Sequence, residues 1–306
     1  MNRAVVFAYH DVGVRCLQVL LSQNVEMALV VTHQDNPNEN IWFDSVAELC
    51  RQHDLPCISP INPNAPDVVD AIKALEPDFF FSFYYRHMLR EPLLAIPHQG
   101  AFNMHGSLLP KYRGRAPVNW AIIHGETETG ATLHVMNAKP DNGAVIDQAA
   151  VPILINDTAI EVFRKVTDAA ENCLQRALPG LLSGEYPLKP QNLALGSYFG
   201  GRNADDGCIQ PGLTALQIHN LVRAVSHPYP GAFIDTPVGR LVIWKTSLTD
   251  TPPAARGPGI YRLHDQQHYL IAPAGGCLRV LDFEIEGQAN TLPAAADSFD
   301  PFGNPP

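Results

Sequence analysis

The sequence predicts an α/β chain with a doubly wound parallel sheet, followed by a second, smaller β domain. Three observations carry this. Apolar strand-like runs alternate with segments of helical period in the first two-thirds of the chain. The runs are apolar on both alternating faces, as in a sheet covered by helices on both sides. From about residue 205 the texture changes to short strands separated by Pro and Gly turns.

Val5–Tyr9 is the first expected strand, and Val14–Leu21 repeats its apolar residues at helical spacing, with His10, Asp11 and Gly13 forming a polar elbow between them. Met27–Val31 is a second strand, followed by a polar loop over 33–40. Ser45 and Glu48 have the spacing of a helix capping box. Val68–Leu75 is helical in pattern, and Asp78–Phe83 is another buried strand. Gly100–Met104, Thr132–Met136 and Val145–Val151 add further strands. Thr158 and Glu161 cap a long helix with Ile160, Phe163, Val166, Ala170, Cys173 and Leu174 in one stripe. Leu213–Val225 gives one more helix. Strands at 242–244, 269–271 and 278–281 then build the small domain, for which a barrel is one available form, and a frayed tail is expected over 294–306.

With 306 residues, 46% apolar and 17% charged, the chain has material for one large domain or two modest ones. Its formal charge of −10 gives it no general attraction for polyphosphate, so nucleic acid is a disfavoured partner. No apolar run reaches the roughly 20 residues that span a bilayer, so no membrane insertion is expected. The six cysteines, at 16, 50, 57, 173, 208 and 277, show no zinc-ligand spacing, and the N-terminal apolar run is too short for a signal peptide. Free thiols, a cytoplasmic location and no metal are the resulting expectations. Neither Gly-x-Gly-x-x-Gly nor a Walker A sequence occurs, so NAD and ATP have no support. Ligands of open α/β sheets sit beyond the carboxyl ends of the strands, which draws attention to loops 9–13, 84–89, 103–116 and 137–143.

The informative segment is Asn103 to Pro117, reading Asn-Met-His-Gly-Ser-Leu-Leu-Pro-Lys-Tyr-Arg-Gly-Arg-Ala-Pro directly after a strand. If the strand continues through residue 105, alternation puts Asn103 and His105 on one face, near enough to act on one substrate atom. An amide donor beside an imidazole suits acyl transfer, the first stabilising an oxyanion and the second moving protons. Asn-x-His by itself is weak evidence and more often a solvated strand end. Lys111 and Arg113 are candidates for a diphosphate and equally ordinary surface charges.

With Pro140-Asp141-Asn142-Gly143, this ensemble resembles the folate-dependent formyltransferases, whose signature is Asn-x-His-x-Ser-Leu-Leu-Pro-x-x-Arg-Gly and a later Asp-x-Gly loop. Within that family the resemblance is closest to the enzymes that N-formylate UDP-4-amino-4-deoxy-L-arabinose for lipid A modification. It extends over Phe7–Asp11, Thr32–Pro37, Ser82–His87, His105–Pro117 and Gly125–Gly130, and over Arg223–Val225 with Pro228–Phe233. The resemblance implies a Rossmann-like catalytic domain over 1–203, an OB-like domain over 204–306, and N10-formyltetrahydrofolate as co-substrate with neither NAD nor metal. It makes Asn103 the oxyanion stabiliser, His105 the proton-transfer residue and Asp141 the carboxylate that raises the imidazole pKa. Folate contacts carried over are His87, Met88, Leu89, Arg115, Asn137, Ala138, Lys139, Pro140 and Asp141. A UDP-amino sugar is the implied partner substrate, and a decarboxylating dehydrogenase, separate or fused, the implied protein partner.

Other acceptors and other reactions use the same residues. Methionyl-tRNA calls for a basic small domain, whereas residues 204–306 hold six Lys/Arg against ten Asp/Glu. Glycinamide ribonucleotide formylation is disfavoured by the second domain. Hydrolysis of the formyl-folate is disfavoured because its enzymes carry a regulatory domain ahead of the first strand. A silent folate-binding module is disfavoured by the intact Asn103, His105 and Asp141.

Overall fold

The computed structural model describes residues 2–236, 239–249, 257–262, 267–285, 288–289, 298–299 and 302. It divides into two compact units: residues 1–117, 128–151 and 163–200 form one, and residues 118–127, 152–162 and 201–306 the other. The sequence expectation placed a single break near 203. Two excursions of the chain, 118–127 and 152–162, instead group with the later residues, because compactness follows spatial contact rather than order along the chain.

In the first unit the elements run β1 (Arg3–Ala8), α1 (His10–Ser22), β2 (Glu26–Val31), α2 (Val46–Gln52), β3 (Cys57–Ile58), α3 (Pro66–Lys73), β4 (Phe79–Phe83), α4 (Glu91–Leu94), β5 (Gly100–His105) and β6 (Arg113–Gly114). α5 (Pro117–Ile123), which groups with the second unit from residue 118 on, is followed by β7 (Glu128–Val135), β8 (Val145–Pro152), α6 (Ala159–Ser183), whose first turn also groups there, and β9 (Tyr198–Phe199). The main sheet has the order β3-β2-β1-β4-β5-β7-β8. Pairing is parallel from β3 to β5, the expected doubly wound parallel arrangement, and a correction lies beyond it, where β5 and β7 pair antiparallel. Antiparallel strands at one side of a parallel sheet are common, and here the turn of β7 sends residues 136–143 back toward the carboxyl end of β5. A second correction concerns the elbow: α1 begins at His10, so His10, Asp11 and Gly13 lie inside the helix. Gly13 packs closely against β1 and α2, a Cβ there standing 3.1 Å from the Val46 side chain and 3.2 Å from Ala8.

Strand alternation sorts the sheet residues onto two faces. Val5, Phe7, Leu29, Val31, Phe80 and Ala101 share one face with Ile72 of α3 and Leu93 of α4, in a cluster from which water is excluded. On the opposite face Phe81 packs against Phe83 and Phe102 at centroid distances of 5.9 and 5.8 Å. Of the expected α6 stripe, Phe163, Val166, Ala170, Cys173 and Leu174 are buried, and Ile160 is half-buried. Toward the carboxyl ends the first face turns polar: Phe80 pairs with Ala101, then Ser82 with Asn103, and His105 follows. The polar residues there mark where packing ends and chemistry begins.

The second unit contains α7 (Ala215–Val225), capped by a reciprocal Thr214–Gln217 box, and the antiparallel strands β10 (Ala232–Thr236), β11 (Gly239–Thr249), β12 (Gly259–Arg262), β13 (His268–Ile271) and β14 (Cys277–Ile285). Two short strands, β15 (Gln288–Ala289) and β16 (Ser298–Phe299), complete the sheet, in which the main path is β10-β11-β14-β13-β12-β16. Most of the expected frayed tail, 294–306, lies outside the described residues. No helix among the described residues is long and apolar enough to cross a membrane.

Because Phe80 is fully buried in the first face, Phe80→Ala is expected to cost about 3–5 kcal/mol of unfolding free energy. Denaturant titration with an unchanged m-value checks this.

Candidate active site

Strand β5 ends at His105, so Asn103 and His105 do share a face, as alternation requires. Around them, at the carboxyl ends of the parallel strands, five residues other than glycine adopt left-handed backbone: His10 after β1, Tyr84 after β4, Tyr112 and Ala116 after β5, and Asp141 after β7, with φ between 50° and 68°. Each costs on the order of 1 kcal/mol or more, and their concentration at one end of the sheet marks loops held in place by their surroundings.

Asp141 is the centre of these constraints. Its Oδ2 accepts the Gly114 backbone N–H at 2.8 Å. Gly114 itself is at φ 96°, with the Phe199 carbonyl oxygen 2.1 Å from where a Cβ would stand, so only glycine turns that N–H toward the carboxylate. Gln191 donates from one amide nitrogen to the carbonyls of Asp141 and Gly143 at 2.9 and 2.7 Å, and Arg113 Nη1 donates to Asn142 Oδ1 at 2.7 Å. The loop is thus braced from both sides.

Asp141 Oδ1 faces two histidines. His105 Nδ1 lies 3.4 Å away and His134 Nε2 3.5 Å away. Burial pushes the Asp141 carboxyl pKa up, but the His105 charge, a His134 hydrogen bond and the Gly114 N–H outweigh it and hold the group well below the usual carboxylate range. An ionised carboxylate therefore stands behind His105 at neutral pH. The other nitrogen of His105, Nε2, donates to the Tyr112 carbonyl at 2.8 Å. Both histidines are buried, with 7% and 2% exposure. Asn103 Nδ2 lies 3.1 Å from His134 Nε2, and His134 Nδ1 donates to the Val135 carbonyl at 2.9 Å.

His134 was not legible as a site residue. It lies within the expected strand 132–136, and only the antiparallel register that sets it opposite Asn103 brings it to the site. The signal available was a polar residue in mid-strand.

The remaining sequence-predicted residues divide by what they expose. Met88 is exposed, whereas Leu89 is 3% exposed and its side chain packs in the core. Asn64 clamps this segment, donating to the Met88 carbonyl at 2.9 Å and accepting the Arg90 N–H at 2.8 Å. His87 contacts His33 edge-on, and Arg115 Nη2 reaches the Arg86 carbonyl at 3.4 Å, linking loops 84–89 and 111–116. Asn137 Oδ1 accepts the Lys139 N–H at 2.9 Å, which turns Ala138 outward, and Lys139 is exposed. Pro140 precedes the left-handed Asp141. Of the two diphosphate candidates, Arg113 is committed to Asn142 and Lys111 is exposed. Among the described residues there is no group of three or more His, Cys, Asp or Glu arranged to hold a metal ion, and all six cysteines are unbridged.

Residues 8–178 match the family described as formyl transferase, and residues 203–295 match its C-terminal domain. Solved structures share the fold. An N-formyltransferase from Helicobacter canadensis, in complex with folinic acid and dTDP-3-aminofucose, aligns with TM-score 0.72 at 22% identity over 92% of this chain and 98% of that one. WlaRD, a sugar 3N-formyl transferase solved with dTDP and 5-N-formyl-THF, gives 0.71 at 20% over 92% and 97%. A sugar N-formyltransferase from a Shewanella species gives 0.64 at 22% over 79% and 96%.

A carboxyl whose folded pKa lies below its unfolded value stabilises the fold fully above the unfolded value, near 4, and loses that contribution as pH falls through the folded one. Asp141→Asn is accordingly expected to unfold more readily than the parent at pH 7, with the two stabilities converging as pH drops below about 4. Parallel denaturant titrations across pH check the sign.

Proposed function

The chain belongs to the formyl transferase family, and on that premise we propose that it transfers the formyl group of N10-formyltetrahydrofolate to the amine of a nucleotide-linked amino sugar. Within that class the acceptor we propose is UDP-4-amino-4-deoxy-L-arabinose, with residues 1–203 as catalytic domain and 204–306 as the C-terminal domain. The carrying observation is the constellation of Asn103, buried His105 and ionised Asp141 at the carboxyl ends of the strands.

The folate supplies the formyl carbon as an activated amide. The neutral sugar amine adds to that carbon, and Asn103 Nδ2–H donates to the formyl oxygen as it gains negative charge. His105 keeps Nδ1 on Asp141 while Nε2 exchanges the Tyr112 carbonyl for the reacting atoms. The proton that Nε2 carries goes to N10 of the folate as the old C–N bond breaks, and the ring regains a proton from the nitrogen of the new C–N bond, so it ends as it began. Products are the N-formyl sugar nucleotide and tetrahydrofolate, so protons and electron pairs balance without a metal or redox partner.

In this reading the folate lies against residues 87–89, Arg115 and loop 137–141. His87 and Met88 are exposed on a segment that Asn64 braces, which supports a role in holding a flat hydrogen-bonding heterocycle. Charge supports an anionic acceptor: segments 84–90, 111–115 and 137–143 contain six Lys/Arg and one acidic residue, in a chain of 21 Lys/Arg and 31 Asp/Glu. The acidic balance of 204–306 speaks against tRNA. The known binding of dTDP-aminofucose by the Helicobacter enzyme supports the nucleotide amino-sugar class without selecting the sugar.

Tetrahydrofolate release, followed with a panel of amino-sugar nucleotides, methionyl-tRNA and water as acceptors, tests the reading. The expected result is fastest turnover with UDP-4-amino-4-deoxy-L-arabinose and little salt dependence. Turnover confined to tRNA or water would overturn the class, and preference for another amino sugar would overturn the finer assignment. Asn103→Ala is expected to lower kcat by about 10²–10³, and His105→Ala by about 10²–10⁴.

A further inference from the structure

The connection between β2 and α2, residues 32–45, has no part in the chemistry above, and residues 34–38, 40 and 41 are exposed. A stretch with so little packing is placed by its polar contacts, and these converge on the residues that follow β1 and β4. Asp35 Oδ1 accepts the Tyr9 hydroxyl at 2.7 Å, and the Arg86 guanidinium lies over the Tyr9 ring, 4.7 Å from its centre. Glu39 accepts from both terminal nitrogens of that guanidinium, at 2.7 and 2.6 Å. His33 Nε2 accepts the backbone N–H of Arg86 at 3.0 Å, and the His33 ring is stacked on Tyr85 at 4.1 Å. Burial, with His87 and Arg86 nearby, holds the His33 pKa down to about 4, so the ring is neutral at neutral pH and its lone pair is available to that N–H.

Arg86 is thus held both by its backbone and by its side chain, and it directly precedes His87, Met88 and Leu89. Past them, Asn64 takes the Met88 carbonyl and the Arg90 N–H. Segment 86–90 is therefore pinned at both ends by side chains from other loops. Without Glu39 the guanidinium loses its bidentate partner, and without His33 an amide hydrogen loses its acceptor. Either change releases the start of the segment while Asn64 still holds its far end. Resting on the formyl-transfer reading above, we propose that Glu39 and His33 are positioning residues which, through Arg86, keep 87–89 in the conformation that holds the folate. The 32–45 connection then sets affinity for the folate co-substrate and leaves the transfer step alone. None of these contacts involves Asn103, His105 or Asp141, so the effect falls on KM rather than on kcat.

Two measurements on the full chain test this. Glu39→Gln keeps the shape of the side chain and removes its charge. Hydrogen exchange of the unliganded variant is expected to be faster than the parent's at residues 86–89 and unchanged over 79–83 of β4. Unchanged exchange at 86–89 would overturn the proposal. In steady-state kinetics the KM for N10-formyltetrahydrofolate is expected to rise about 5-fold, the upper end of what an exposed ion pair contributes. The kcat at saturating folate and the KM for the amino-sugar nucleotide are expected to stay within about 2-fold of the parent. His33→Phe keeps a ring against Tyr85 without the acceptor, and the same split between KM and kcat is expected. Arg86→Met added to Glu39→Gln should cost little more than Glu39→Gln alone. An unchanged KM for the folate, a loss confined to kcat, or fully multiplicative losses in the double variant would each overturn the proposal. If the parent transfers no formyl group to any acceptor, the functional reading fails instead, and the exchange measurement still decides whether Glu39 holds 86–89.

Discussion

A single buried negative charge organises this end of the molecule. Asp141 is largely removed from solvent, and an ionised carboxylate there is tolerable only because its oxygens face the Gly114 N–H and two imidazoles. The surrounding sequence is arranged to keep those partners in place. Gly114 has a backbone conformation and a clearance that exclude any side chain, and Gln191 and Arg113 hold the loop that carries the carboxylate. The left-handed backbone at Asp141 is sustained by the same braces.

The sheet supplies the rigidity on which this depends. One face of β4 and β5 is apolar at its base, with Phe80 and Ala101 in the core, and polar at its carboxyl end, with Ser82, Asn103 and His105. Asn103 and His105 therefore project from backbone fixed by ladders on both sides, parallel with β4 and antiparallel with β7. Reversal of chain direction at β7 has a chemical consequence as well as a topological one, because it sets His134 opposite Asn103 and returns the Asp141 loop to the end of β5.

Local pattern made much of this legible. Apolar runs located β1, β2, β4 and β5, and period-two alternation placed Asn103 and His105 together because both depend only on neighbours in sequence. Asp141 came from resemblance, since nothing in spacing ties residue 141 to residue 105. His134 stayed hidden because its role arises from antiparallel register between β5 and β7, and the expected parallel sheet gave no reason to pair those residues. The start of α1 was also missed: a positive-φ His10 at a helix start is held by tertiary packing, with its ring stacked 3.9 Å from that of Phe43. In the small domain β11, β13 and β14 were legible as apolar runs, while β10 and β12 were not read as strands.

The central claim is geometric: the formyl carbon is attacked between Asn103 and His105, over the charge of Asp141. A crystal structure with a stable formyl-folate analogue and the UDP-amino sugar together tests it most directly. The account predicts the formyl oxygen about 2.7–3.1 Å from Asn103 Nδ2 and the sugar amine about 3–3.5 Å from the formyl carbon, with His105 Nε2 turned to the reacting atoms. Ligands seated with the formyl group remote from Asn103 and His105, or a pterin bound away from 87–89 and 137–141, would contradict it.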